Sequence, residues 1–362
     1  MCLYPKLIKN RKYTSNKKNG GVIPAVTDIR TQLVAIGCGN CIECRKQKAR
    51  EWQVRLQEDI KKYTNGKFIT LTLNDKSIKE LTEDVLKYTN EEIEKLKKQP
   101  STPEINKKIQ KQEDKQCGYG LDNEIATRAV RLFLERWRKK YTQSVRHWLV
   151  TELGHNGTEN IHLHGVIWTD YLQDIEDIWT YGHIWKGKKV AKTISNPNGI
   201  ENYVNAKTVN YIVKYITKID EKHTQYKSKI LTSPGIGDNY IKQENGNWKK
   251  NIYNNTKTNE TYRASKGEKL ALPIYYRNHI YTDEEKEKLW IMKLDKQERY
   301  VLGQKIDISK GEEEYYKALK EAQELNKELG YRDNKKDWEQ TEYENMRREY
   351  IRKIRIERAG NR

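Results

Sequence analysis

Val145-Arg146-His147-Trp148-Leu149-Val150-Thr151-Glu152 and Ile161-His162-Leu163-His164-Gly165-Val166-Ile167-Trp168 are two apolar-rich, alternating stretches on either side of the loop 153–160. Asn156-Gly157 in that loop is a strong turn signal, so residues 145–168 predict an antiparallel hairpin. Side chains on a strand alternate with period two, which puts His162 and His164 on one face, while Gly165 leaves room for a backbone or ligand. The hairpin also returns Glu152 to a place opposite His162. Two imidazoles and a carboxylate can hold a divalent cation and leave positions open for substrate oxygens. His147 differs from Glu152 by an odd number and falls on the other face. Alone, His-x-His also suits two surface histidines on a half-exposed strand, so context decides.

The context lies about fifty residues on. Val209, Ile212, Val213, Ile216 and Ile219 recur at helical spacing, while Tyr211, Tyr215 and Lys218 fall at i, i+4 and i+7 on another face. Tyrosine is a poor nucleophile because its reference pKa is about 10. A nearby cation, Lys218 or a metal ion, favours the phenolate. Without such a partner, an aromatic helix face belongs to a packed core.

Together these stretches resemble the HUH endonucleases, the rolling-circle replication initiators. His162-Leu163-His164 is similar to their histidine–hydrophobic–histidine motif, and Tyr211-Ile-Val-Lys-Tyr215-Ile-Thr-Lys218 to the two-tyrosine helix of small single-stranded DNA phage initiators. Phe68-Ile69-Thr70-Leu71-Thr72-Leu73 resembles their upstream strand motif. Met1-Cys2-Leu3-Tyr4-Pro5-Lys6, Cys38-Gly-Asn-Cys41-Ile-Glu-Cys44-Arg45, Lys48-Ala-Arg-Glu-Trp52 and Ser233-Pro234-Gly235-Ile236-Gly237 look like segments of gokushovirus (Microviridae) initiators, so the resemblance runs from residue 1 to about 240. It implies Tyr211 and Tyr215 as nucleophiles assisted by Lys218, with His162, His164 and Glu152 as ligands of Mg²⁺ or Mn²⁺. Glu152 sits in Thr-Glu-Leu-Gly where relatives often read Gly-Glu-Tyr-Gly, which leaves His155, Glu159 and Asn160 as alternative third ligands.

The chain has 362 residues, a net charge of +19 and only 35% hydrophobic residues, which predicts a modest core among long polar helices. Such a cation seeks a polyanion, nucleic acid before an acidic membrane surface. No run approaches the ~18 apolar residues of a membrane span, and the first residues lack a signal-peptide core. The expectation is a protein of the host bacterial cytoplasm. Five cysteines, three at Cys38, Cys41 and Cys44, argue against a disulfide framework. The Cys-x-x-Cys-x-x-Cys cluster suits reduced thiols, Zn²⁺ or an iron–sulfur group, with a fourth ligand to come from Cys2, Cys117 or a histidine.

The expected fold is α+β, an antiparallel sheet with packed helices in the manner of HUH initiators, plus a charged helical insertion and a helical C-terminal region. Four parts follow: 1–66, a cysteine-containing segment and amphipathic helix; 67–220, the nuclease core; 221–282, a basic and aromatic DNA-contact region; and 283–362, charged helices. Within the core, 75–120 reads as a solvent-exposed insertion broken at Gln99-Pro100-Ser101-Thr102-Pro103. Arg45, Lys48, Arg50, Gly235 and Gly237 are candidate DNA contacts, and Tyr226, Tyr240, Trp248, Tyr253 and Tyr262 candidate base-stacking rings. Arg347, Arg348, Arg352, Lys353, Arg355 and Arg358 could clamp DNA or present a solvated face. Gly182-His-Ile-Trp-Lys-Gly187-Lys188-Lys189 nearly spells a phosphate-binding loop but ends in Lys where Ser or Thr must bind magnesium.

The resemblance therefore implies metal-dependent nicking of single-stranded origin DNA by tyrosine attack, a 5′-phosphotyrosine, and strand transfer, with host helicase and DNA polymerase as partners. An HUH transposase or relaxase is the neighbouring alternative. A basic DNA-binding protein with a cysteine–metal site is the non-enzymatic one. Zinc deaminases are excluded because they need His-x-Glu followed by Pro-Cys-x-x-Cys. Oligomeric state is not legible.

Overall fold

A five-stranded antiparallel sheet is built on β3 (Gly66–Thr72), β4 (Arg146–Leu153) and β5 (Ile161–Trp168) of the computed structural model, which describes residues 1–155, 159–194, 196–197, 199–242, 260–264 and 267–360. Short edge strands β6 (Ile184–Trp185) and β9 (Ile230–Thr232) complete the order β6-β3-β5-β4-β9. The expected hairpin is β4–β5, with Glu152 opposite His162 and Val150 opposite His164. Its turn signal, Asn156-Gly157, lies outside the described residues, as do Trp248 and Tyr253. Gly165 is required by the sheet itself, because a Cβ there would lie 2.0 Å from the Trp148 carbonyl oxygen. The room it leaves is filled by backbone.

Alternation divides the sheet into two chemistries. Ile69, Leu71, Leu149, Leu153, Leu163 and Ile167 are buried on one side with Ile125, Ala129, Phe133 and Trp137 of α4 (Gly118–Tyr141). Each such large apolar side chain contributes about 1.5–3 kcal/mol on burial. The same cluster takes in Ile78, Leu81 and Val85 of α2 (Asp75–Lys97), whose N-terminus is capped by the Asn74 side chain. Here the structure corrects the expectation of a solvent-exposed insertion over 75–120. The charges of α2 sit on one face, and its apolar stripe at spacing three and four is part of the core. α3 (Pro103–Glu113), which starts at Pro103 behind a Thr102 cap, buries nothing.

The architecture is mixed α+β, an antiparallel sheet with packed helices, as expected. Two compact units divide the chain: one holds 59–215, 222–236 and 337–362, the other 1–58, 216–221 and 237–336. α1 (Ile42–Lys62) and α6 (Ala206–Thr217) each contribute residues to both.

In the sheet-bearing unit, the C-terminal helix Trp338–Gly360 turns its arginines inward. Arg348 and Arg352, 4% and 8% exposed, both pair with the buried Asp122, and Arg347 pairs with Glu159. Arg355 reaches Asp75 and the Asn160 side chain. For these four arginines the DNA-clamp and solvated-face readings are both replaced by internal ion pairs, since carboxylates of α4 and the hairpin loop meet them.

The other unit has two smaller cores. One gathers Leu3, Cys41 and Ile42 with Val301, Ile306 and Ala322, and the other Val54, Tyr262, Leu272, Tyr276, Tyr281 and Leu289. Its first hairpin pairs β1 (Lys6–Lys9) with β2 (Leu33–Ile36). Strands β7 (Lys188–Lys189) and β8 (Ile200–Glu201) form a separate small hairpin in the sheet-bearing unit. Among the described residues no helix is long and apolar enough to cross a membrane.

Candidate active site

On the face of the sheet opposite the α4 core, neighbouring strands present Thr70 and Thr72, His164 and His162, and Val150 and Glu152 in register. His164 Nε2 lies 2.9 Å from Glu152 Oε2, while its Nδ1 meets the Thr70 hydroxyl at 3.0 Å. A hydroxyl on one ring nitrogen orients the imidazole and leaves the other toward the carboxylate, the arrangement that tunes a histidine ligand. The His162 ring hydrogen-bonds the Asn160 carbonyl, and its Cε1–Nδ1 edge lies against Gly154, where a Cβ would come within 2.7 Å of Cε1. Burial, then the neighbouring His164, holds His162 below the usual imidazole range, in the neutral form that binds metals. His147 is buried and bonds Val145 and Ser233, apart from this set, as its phase predicts.

The tyrosines come from α6. Its apolar residues Val209, Ile212, Val213 and Ile216 are buried, which fixes the rotation of the helix. The Tyr215 ring stacks on His164 at 4.4 Å with the planes 3° apart, and Tyr211 meets Phe68 edge-on at 5.9 Å. The two phenol oxygens are 3.0 Å apart. Tyr211 is half exposed. Burial, then the hydrogen bond with Tyr211, pushes the Tyr215 phenol above its usual range, with Glu152 adding to the effect. The structure thus brings together His162, His164, Glu152, Tyr211 and Tyr215.

Lys218 does not complete a helical stripe. α6 ends at Thr217, one residue short, and the carbonyls of Thr217 and Lys218 accept from the Tyr331 hydroxyl and Arg45 guanidinium instead of from further helical turns. The alternative third ligands are committed elsewhere. Glu159 pairs with Arg347 and with His223 Nε2, Asn160 bonds Leu73 and Arg355, and His155 lies beside His223 with ring centroids 6.3 Å apart.

Several candidate DNA contacts are structural. Tyr226 and Tyr262 are 7% and 3% exposed, bonded to Thr151 and Glu58 respectively, so neither offers a face to a base. Tyr240 stacks on Tyr276 at 4.5 Å. Gly235 has positive φ, and its carbonyl accepts from Arg146. At Gly237, also at positive φ, a Cβ would lie 2.5 Å from the Arg55 carbonyl oxygen, so close packing explains it. Lys48 and Arg50 are exposed on α1, whereas Arg45 is partly covered beneath Tyr331.

Sequence reasoning did not assign Thr70 or Gly154. Thr70 carried a signal, since alternation put it on one face of β3, but only the β3–β5 register shows that it meets His164. The cysteines gain their fourth member here: the sulfurs of Cys2, Cys38, Cys41 and Cys44 all lie within 4.8 Å of one another and can hold a metal ion. Cys117 is exposed at the start of α4.

Residues 114–220 match a family model of replication-associated proteins, the ORF2 group. The match supports a replication initiator, and it spans α4, the β4–β5 hairpin and α6. Glu152, His162, His164, Tyr211 and Tyr215 all fall inside it, and the cysteine quartet falls outside. No curated protein and no solved structure matches the chain.

Proposed function

We propose that this protein starts rolling-circle replication of a small single-stranded DNA phage genome by nicking and rejoining one strand at its origin. The observation that carries this reading is the pair of phenol oxygens, 3.0 Å apart, on a helix whose Tyr215 stacks on His164. A chain that only bound DNA would have no need to gather two phenols, two imidazoles and a carboxylate on one sheet face.

The donor set fits a divalent cation such as Mg²⁺ or Mn²⁺. His162 is held neutral, His164 is oriented by Thr70, and Glu152 supplies the charge. When bound, the cation stabilises negative charge on the non-bridging oxygens of the scissile phosphate. Tyr211 or Tyr215 gives up its phenol proton and forms the new P–O bond. The P–O3′ bond breaks, and the leaving oxygen takes a proton to become a 3′-OH that a host polymerase extends. The phosphotyrosine conserves the bond energy, so a later 3′-OH closes a circle without another energy source. Unwinding falls to a host helicase.

The test is incubation with Mn²⁺ and single-stranded oligonucleotides tiling the protein's own genome, followed by a denaturing gel. A covalent protein–DNA band in the wild type, absent from Tyr211→Phe/Tyr215→Phe, is the expected result, and the single variants name the first nucleophile. Tight, salt-sensitive binding with no band from any oligonucleotide would overturn the enzyme in favour of a DNA-binding protein.

A further inference from the structure

We propose that Cys2, Cys38, Cys41 and Cys44 form a structural Zn²⁺ site that clasps the start of the chain to the first turn of α1. Four thiolates around zinc at about 2.3 Å form a tetrahedron whose edges are about 3.8 Å. The Cys38–Cys44 and Cys2–Cys41 sulfur separations are each 3.9 Å, and no other pair exceeds 4.8 Å. All four cysteines are free.

The local backbone explains how residues 36 apart in sequence meet. β1 and β2 pair with Lys6 opposite Ile36, and continuing that register carries Cys2 to the turn at 38–41. Gly39, at a φ of +77°, bends that turn so that the amides of Asn40 and Cys41 both point at Cys38 Sγ, at 3.4 and 3.3 Å. The amides of Tyr4 and Cys38 point at Cys2 Sγ, at 3.3 and 3.2 Å. Amides of Leu3 and Cys44 bond Cys41, and that of Gly39 bonds Cys44. Each sulfur thus accepts from backbone N–H groups, which favours thiolate over thiol. Four convergent thiolates need a cation between them.

Nothing else about the site suggests an open coordination position. Cys41 is fully buried, and at Gly37 even a Cβ would press on Cys44 Sγ at 3.0 Å. Second-layer contacts hold the frame: Ile42 N donates to the buried Asn326 side chain at 2.9 Å, and Asn40 donates to the Asp333 carbonyl at 3.0 Å. A closed set of four sulfurs is the pattern of structural, not catalytic, zinc. The apolar cluster around it is small, so the ion supplies cohesion that its few buried side chains do not.

The experiment uses the full chain, purified from zinc-supplemented cells. Elemental analysis by mass spectrometry is expected to give one zinc per chain, unchanged in His162→Ala/His164→Ala and absent from Cys38→Ser/Cys41→Ser. Because the cysteine variants can misfold, a second readout uses the wild type alone. Iodoacetamide is expected to label Cys117 readily and the other four only after chelation. Zinc-free chain with all five thiols labelled at similar rates, disulfides among the four, or bound iron with sulfide would each overturn the proposal. The adduct assay fails or succeeds independently of this one.

Discussion

Gly154 has no side chain where His162 needs the space, and Thr70 has a hydroxyl where His164 needs a partner. Gly154→Ala is expected to displace the His162 ring and cut covalent adduct formation at least tenfold, while circular dichroism and melting temperature stay near those of the wild type. Thr70→Val removes the group on Nδ1 without changing shape. Orienting partners of this kind are worth about 10–100-fold in metal affinity, so Mn²⁺ titration of adduct formation should shift to higher concentration by that factor, with saturating yield partly recovered. His162, His164 and Glu152 were legible because a two-residue period and one turn fix their relation. Thr70 and Cys2 were not, because each meets its partner through a pairing between distant segments, β3 with β5 and β1 with β2. Tyr226 and Tyr262 were misread since hydropathy does not distinguish a phenol that stacks on DNA from one bonded inside a core.

The C-terminal helix Trp338–Gly360 is attached through charge. Burial opposes ionisation of Asp122, but Arg348 and Arg352 outweigh it and hold the carboxyl below the usual range. A carboxyl depressed in the folded state adds stability at every pH above its unfolded value, about 3.9, and loses it as pH falls through the folded one. Asp122→Asn leaves two buried guanidinium groups without their counter-charge, which costs about 3–5 kcal/mol. Denaturant unfolding should show that deficit at pH 7, and the gap between variant and wild type should close below the folded pKa. An unchanged gap across the series would mean that packing, not charge, fastens this helix. Its arginine spacing was plain in the sequence. That the basic stripe faces inward was not, because the acids it meets lie on α4, more than two hundred residues earlier.

Across the whole chain, 70 basic residues against 51 acidic ones leave +19, and some of that charge is consumed by internal pairs. The remainder should still make single-stranded DNA binding salt-dependent. The logarithm of affinity is expected to fall linearly with the logarithm of salt concentration, with a slope of about 0.7 per phosphate neutralised. A flat dependence in fluorescence anisotropy would remove nucleic acid from the reading of the charge. Fold class followed from alternation and helical spacing, whereas the division into two units did not, since each is assembled from segments far apart in the chain. The two phenols of α6, separated by one helical turn and a hydrogen bond, bear on stoichiometry. In the proposed reaction one polypeptide keeps hold of a cut end while its second hydroxyl waits at the same spot, so no meeting of two copies is needed and yield should not depend on protein concentration. Mixing Tyr211→Phe with Tyr215→Phe should then fail to restore circle closure that either variant lacks alone.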